Sequence, residues 1–211
     1  EVIIGTTRAG AFAATLVGKL TGKPVIVDHV DPIRQFRKTH TVGVSIPVQL
    51  AENICFAVSN IVMYVYEEER SRVERYAREA RTTSLGVEYN WFVDPDQGAI
   101  ESARNNVSSL SLRDNIAVYV GGLEPLYHIK ELLDAMESIP EWSLIILGEG
   151  SLREVVEQTE AEQENIHYIG SVPHPQVVGY LSLADVGISL VDDPYTLKVL
   201  EYGAAGLSVV H

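Results

Sequence analysis

Two acids, Asp193 and Glu201, bracket the run Pro-Tyr-Thr-Leu-Lys-Val-Leu in a segment that closes on Gly206. Pro194 suits the first turn of a helix, Asp193 can cap that turn with its carboxylate, and Gly206 is a natural left-handed stop. The first amides of such a helix sit at the positive end of its dipole and can receive an anion, to which Thr196 and Lys198 add a hydroxyl and a charge. Glu201, almost two turns further in, can accept hydrogen bonds from hydroxyl groups. A plainer reading stands beside this one: Asp193 only caps, and Glu201 only pairs with Lys198 three residues earlier. The turn Gly148-Glu149-Gly150 has the same double character. It lets a ligand approach the backbone closely, while Ser151 with Glu154 makes a simple capping box.

These residues need a scaffold, and the hydrophobic period supplies one. Strands are expected at Val2–Thr6, Pro24–His29, Asn60–Tyr66, Thr82–Val87, Ile116–Gly121, Ser143–Gly148, Ile166–Gly170, Val186–Val191 and Leu207–Val210. Helices are expected between most of them, at Ala11–Leu20, Glu67–Ala80, Lys130–Ser138, Ser151–Gln163 and Pro175–Leu183. Short apolar strands alternating with helices predict an α/β protein whose parallel sheets are covered on both faces, with ligands at the carboxyl ends of the strands. The alternation weakens over 94–115, where Asp-Pro-Asp-Gln-Gly opens a polar stretch. Two domains are therefore expected, 1–93 and 116–211, with 94–115 as linker. A second irregular stretch, 32–47, is expected to be a loop carrying Arg34, Arg37 and Lys38.

Composition removes several function classes. The 211 residues carry 29 acids against 16 bases, a formal charge of −13, which argues against a nucleic-acid surface because phosphate binding needs clustered cations. Cys55 is the single cysteine, so neither an internal disulfide nor a zinc site built of several cysteines can form. No apolar run approaches the roughly 20 residues of a membrane span, and no signal-peptide pattern precedes the first strand. A cytoplasmic setting is expected. No serine triad or cysteine–base pair is recognisable.

The order of motifs along the chain resembles family 4 of the glycosyltransferases, the large GT-B group also called group 1 glycosyl transferases. The segment Asp193–Gly206 is similar to that family's carboxyl-terminal signature, with an aspartate where a glutamate is usual. Lys23–His29 resembles its central amino-terminal strand ending in histidine. Thr83–Glu88 with Phe92 is similar to its crossover between domains, although Leu85 replaces the usual asparagine. Tyr119-Val120-Gly121-Gly122-Leu123, Leu147–Leu152, Ile169–His174 and Ala184–Ile188 follow in family order.

The resemblance implies a GT-B fold of two Rossmann-like domains, the first on the acceptor side and the second binding the donor nucleotide. It also implies a fragment, lacking the start of the first domain and the end of the second. The implied activity is transfer of a hexosyl group from a nucleoside diphosphate sugar, UDP or GDP, to a hydroxyl of a glycan or lipid-linked acceptor in cell-surface glycan synthesis. Retention of configuration and no essential metal or other cofactor are implied with it. By the same resemblance His29 reaches across from the first domain and, with Asp193, acts at the transferred sugar; the competing reading makes His29 structural. Glu201 would hold the ribose. Tyr195, Thr196, Leu197 and Lys198 would take the diphosphate, and Gly121, Gly122, Gly148, Glu149, Gly150 and Ser151 would line the donor site. His174 either lies beside the base or, with Pro175, merely opens a helix. Arg34, Arg37 and Lys38 either meet an anionic bilayer at the inner membrane face or are simply solvated.

One departure bears on the chemistry. Family members usually carry arginine and lysine after the first donor-domain strand, where this chain has Gly122 and Tyr127. Each lost charged hydrogen bond is worth about 1.5 to 3 kcal/mol of phosphate attraction. That loss favours one alternative, a non-catalytic sugar-nucleotide-binding module, and the shared architecture keeps a second open, a GT-B sugar-nucleotide epimerase. Donor sugar, base and acceptor are not legible.

Overall fold

The computed structural model describes residues 1–191 and 196–211, which form two compact units, Glu1–Leu85 and Gly86–His211. Both are α/β with parallel sheets, as the alternation of strands and helices predicts.

In the first unit, β1 (Ile3–Thr6), α1 (Thr7–Thr21), β2 (Val25–His29), α2 (Ile33–Thr39), α3 (Val42–Val58), β3 (Ile61–Tyr64), α4 (Arg70–Tyr76) and β4 (Ala80–Thr82) follow in order. The strands line up as β1-β2-β3-β4, all parallel. A sheet that grows in one direction through right-handed crossovers puts its connecting helices on one face. Accordingly one core forms, where Ala11 and Ala14 of α1, Phe56 of α3 and Val73 of α4 meet Val25, Val27, Val62 and Tyr64. The expectation of two covered faces is corrected for this unit: along β2 only alternate residues are buried.

Two further sequence expectations change here. The stretch 32–47 is not a loop but α2 and the start of α3. Pro47 is accommodated within α3, near its start, where a missing amide forfeits one intrahelical bond. The helix expected over Glu67–Ala80 is a 3-10 turn, Glu67–Glu69, followed by α4, and β4 precedes the predicted Thr82–Val87.

The second unit contains α5 (Tyr89–Val93), α6 (Gln97–Val107), β5 (Asn115–Val120), α7 (Ile129–Glu137), β6 (Trp142–Leu147), α8 (Arg153–Glu162), β7 (Ile166–Gly170), α9 (His174–Leu181), β8 (Val186–Ile188), α10 (Leu197–Ala204) and β9 (Ser208–Val210). Its strand order is β7-β6-β5-β8-β9, so the winding direction reverses between β5 and β8. Alternate residues of β5 and β6 then serve opposite faces. Tyr119, Leu144 and Ile146 pack with Leu132, Leu133 and Met136 of α7 and Val156 of α8. Val118, Ile145 and Leu147 pack with Ala103 of α6, Val177 and Val178 of α9 and Tyr202 of α10. This double burial explains why β6 reads as an unbroken apolar run.

The stretch 94–115 is not a linker in this fold, and the division between the units falls earlier, after Leu85. Asp96 accepts a hydrogen bond from the Ala99 amide at 3.0 Å and so caps α6. A Cβ on Gly179 of α9 would lie 2.2 Å from the Ala99 carbonyl, so the two helices approach closely at a glycine. The polar residues of 97–107 hid this helix because only Ala99, Ala103 and Val107 face inward.

Candidate donor site

In a sheet wound in both directions, the crevice opens at the carboxyl ends of the strands flanking the reversal, here β5 and β8. Three glycines end neighbouring strands there with positive φ: Gly121 (147°), Gly148 (143°) and Gly170 (83°). The amide of Gly121 donates to the Leu147 carbonyl and that of Gly148 to the Gly170 carbonyl, both at 2.9 Å. A Cβ on Gly148 would stand 1.8 Å from the Gly121 carbonyl oxygen, and one on Gly150 2.5 Å from that of Leu123. Side chains are therefore excluded from both turns, and the strand ends form a floor of bare backbone.

The predicted helix after β8 is present as α10, but it begins at Leu197 rather than at Pro194. Its N-cap is Thr196, whose hydroxyl accepts from the Val199 amide at 3.4 Å. Asp193, Pro194 and Tyr195, and with them the expected Asp193 cap, lie outside the described residues. The predicted stop holds: Gly206 has φ 80°, with Leu207 N–H donating to Tyr202 O and Gly206 N–H to Gly203 O, the paired bonds of a Schellman ending.

Lys198 and Glu201 both stand on this helix. Lys198 Nζ donates to the Tyr119 hydroxyl at 3.0 Å and lies 4.4 Å and 4.3 Å from the ring centroids of Tyr119 and Tyr127. Burial lowers its pKa to about 8, against the opposing pull of Glu201. Glu201 is mostly buried and its Oε1 meets His174 Nε2 at 2.8 Å. His174 stands in the first turn of α9, as its pairing with Pro175 predicts, and its ring lies 6.0 Å from Trp91 and 6.3 Å from Phe92. The plain reading of Glu201 as a surface partner of Lys198 is replaced by this contact with His174.

Ser151 does not form the expected capping box. Its amide and hydroxyl both donate to Glu124, and α8 begins at Arg153 with Leu152 as N-cap. The carboxylate of Glu124 outcompetes the helix amides for the serine and ties the turn after β6 to the loop after β5, while Leu123 N–H donates to Glu149 O at 2.9 Å. The Glu149 side chain instead faces Arg153 at 3.3 Å. Gly122 accepts the Tyr119 hydroxyl proton at 2.7 Å through its carbonyl.

Two tyrosines escaped the sequence reading as site residues. Tyr119 sits in an apolar strand and reads as core, and Tyr202 follows Glu201 as one more apolar helix position. Tyr202 ties both flanking strands together, its hydroxyl accepting from the Val120 amide at 2.9 Å and donating to the Ile188 carbonyl at 3.2 Å. Burial raises the pKa of both phenols, so both stay protonated donors.

His29 belongs to the first unit, at the end of β2. It is buried edge-on to Phe56, and its Nε2 lies 3.2 Å from Glu69. Glu69 also accepts from the Ile33 amide at 3.0 Å and from Arg72 at 2.9 Å. Arg72 reaches Glu52 at 2.7 Å, and Arg8 reaches the same Glu52 at 2.5 Å. Burial pushes the Glu69 carboxyl up, but the His29 hydrogen bond, the Arg72 charge and the Ile33 amide together bring it down to about 2. Arg34 pairs with Glu68 at 3.1 Å and Arg37 with Gln49 at 2.6 Å, both at the surface.

Among the described residues no helix is long and apolar enough to cross a membrane. The chain is 26% identical over 155 residues to the teichuronic acid biosynthesis glycosyltransferase TuaH of Bacillus subtilis (strain 168), an alignment covering 70% of this chain and 38% of that protein. Its fold is similar to sucrose-phosphate synthase (tll1590) from Thermosynechococcus elongatus, with a TM-score of 0.75 at 16% identity over 99% of this chain and 55% of that one. Anabaena Alr3699/HepE in complex with UDP-glucose gives 0.74 at 12% identity over 98% and 58%. The chain thus spans well under two thirds of the length of each. Residues 102–211, more than half of the chain, match the family model of glycosyl transferases group 1, and on that match the chain belongs to the group 1 glycosyl transferases.

Proposed function

We propose that this chain forms part of a glycosyltransferase that moves a hexosyl group from a nucleoside diphosphate sugar to a hydroxyl of a glycan or lipid-linked acceptor, with retention and without an essential metal. The observation that carries this reading is that α10, at the point where the sheet reverses, sets Lys198 against the glycine that ends β5 and Glu201 against His174 of α9. Such a floor admits a diphosphate against backbone, and a buried carboxylate beside it suits a ribose diol.

In this reading Glu201 holds the ribose, oriented by His174, whose exposed ring and the neighbouring Trp91 offer a wall for the base. Lys198 and the amides of Thr196 and Leu197, with Tyr195, take the diphosphate. Stabilising the leaving diphosphate is the main electrostatic task, since negative charge grows there as the glycosidic bond breaks. Lys198 and the α10 amides meet that need without a metal ion. Asp193 and His29 act at the transferred sugar, and Glu69 orients the His29 imidazole through its Nε2. HepE, crystallised with UDP-glucose, supports a uridine donor, and the teichuronic acid role named for TuaH supports a cell-surface glycan acceptor. A cytoplasmic setting at the inner membrane face, with Arg34, Arg37 and Lys38 toward anionic lipid, belongs to the same proposal.

Calorimetric titration with UDP, GDP and their sugar conjugates tests the reading. Saturable binding that Glu201→Ala weakens by tenfold or more is expected, about the worth of a hydrogen bond to a charged group. Donor consumption that depends on added acceptor identifies a transferase; epimerisation without acceptor, or binding without turnover, would replace it by one of the two alternatives.

A further inference from the structure

The donor reading leaves a chemical gap, because the positions of Gly122 and Tyr127, where the family usually carries cations, bear no charge. The surroundings of Lys198 fill it, in a role that rests on the donor reading. Lys198 Cε and Nζ occupy the volume that a side chain on Gly121 would need: a Cβ there would lie 2.4 Å and 2.5 Å from them. Tyr119 is fully buried and its proton is committed to the Gly122 carbonyl, so a phenol lone pair is turned toward the ammonium. Tyr127, at the end of a 3-10 turn (Pro125–Tyr127), presents its ring to the same nitrogen. Three separate elements, β5, this turn and α10, thus converge on one ammonium.

We propose that Gly121, Tyr119 and Tyr127 form a socket that fixes the Lys198 ammonium at the strand ends as the cation for the donor diphosphate, with Tyr127 as a positioning residue whose site can itself take a side-chain cation. Of Lys198, Tyr119 and Tyr127, only Lys198 touches the ligand; the two tyrosines act through it. Burial in the socket disfavours the charged form of the lysine, in keeping with a pKa brought down to about 8. Among the described residues the ionisable groups facing it are Tyr119 on β5, Tyr127 on the turn, and Glu201 on α10, the last held by His174 of α9. A diphosphate favours the protonated lysine, so donor affinity is highest below about pH 8 and falls as pH rises through it.

The test is calorimetric titration of UDP and GDP from about pH 6.5 to 9.5 with wild type, Lys198→Met, Tyr127→Leu and the double variant Lys198→Met/Tyr127→Lys, each checked for folding by circular dichroism. Lys198→Met is expected to bind about 10- to 100-fold more weakly and to lose the pH dependence near 8. Tyr127→Leu, with the ammonium better hydrated, is expected to bind more weakly and to shift that dependence toward the ordinary lysine range. The double variant is expected to regain part of the lost affinity, which a merely structural role for Tyr127 would not produce. Wild-type binding with an unchanged Lys198→Met profile would overturn the socket and leave the nucleotide site standing. Absence of binding to wild type at every pH would overturn both. A folded double variant with no recovery would overturn the shared charge position.

Discussion

The two units treat buried charge in opposite ways. In the first, Arg8, Glu52, Arg72 and Glu69 form a chain of alternating sign, each guanidinium set against a carboxylate at 2.5 to 2.9 Å. In the second, the described contacts of the Lys198 ammonium are two phenol rings and one phenol oxygen, in the space that the missing side chain of Gly121 leaves open. A charge paired by salt bridges is spent on holding a fold together. One held by rings and bare backbone keeps its field available to an incoming anion, because a ring satisfies a cation only in part. The same contrast appears in the sheets: one winds in a single direction around one core, while the other reverses and opens a crevice at the reversal.

The comparison is broken most forcefully at Arg72. Arg72→Leu leaves Glu69 and much of Glu52 as buried carboxylates without their shared cation, and a loss of about 3 to 5 kcal/mol is expected in urea unfolding followed by a probe in the first unit. The same network gives a pH signature. The folded carboxyl of Glu69 titrates near 2, below its ordinary 4.5, so its contribution is fully present above pH 4.5 and is lost as pH falls toward 2. That contribution is about 3 kcal/mol, and Glu69→Gln should flatten this part of the acid-unfolding curve. A stability profile that does not change between wild type and Glu69→Gln over that range would contradict the pairing.

In the second unit, Gly148→Ala is expected to cost about 2 to 3 kcal/mol of stability, since φ is 143° and the new Cβ would meet the Gly121 carbonyl at 1.8 Å. The strand-end floor must shift with it, so UDP affinity should fall alongside thermal stability. The smallest expected effect is at His174, which orients Glu201 and lends its ring to the wall for the base. His174→Ala should weaken UDP binding by about three- to tenfold, with little change in Tm, about the worth of one hydrogen bond. A loss equal to that of Glu201→Ala would instead show that His174 holds the nucleotide as strongly as Glu201 does.

Much of this molecule is legible from its residues. The parallel α/β class, most strands to within a few positions, the left-handed stop at Gly206 and the glycine turns after β5 and β6 all follow from hydrophobic period and turn chemistry. The misreadings share a cause. Helix α6 was hidden because three small or apolar positions suffice to dock it on α9, and α3 because its proline lies where one lost amide is tolerated. Ser151 shows the same limit at the scale of one side chain: a capping box is a local contest between hydrogen-bond partners, and Glu124, remote in sequence, wins it.

The residue types alone determine that this chain offers a helix start with a lysine and a glutamate next to glycine-ended strands, because turn, cap and strand preferences act over a few neighbouring residues. Only the tertiary structure decides that Glu201 faces His174 rather than Lys198, and that Lys198 lodges between Tyr119 and Tyr127. Glu201 and His174 lie 27 positions apart and Lys198 and Tyr119 lie 79 apart, and they meet because the sheet reverses direction between β5 and β8.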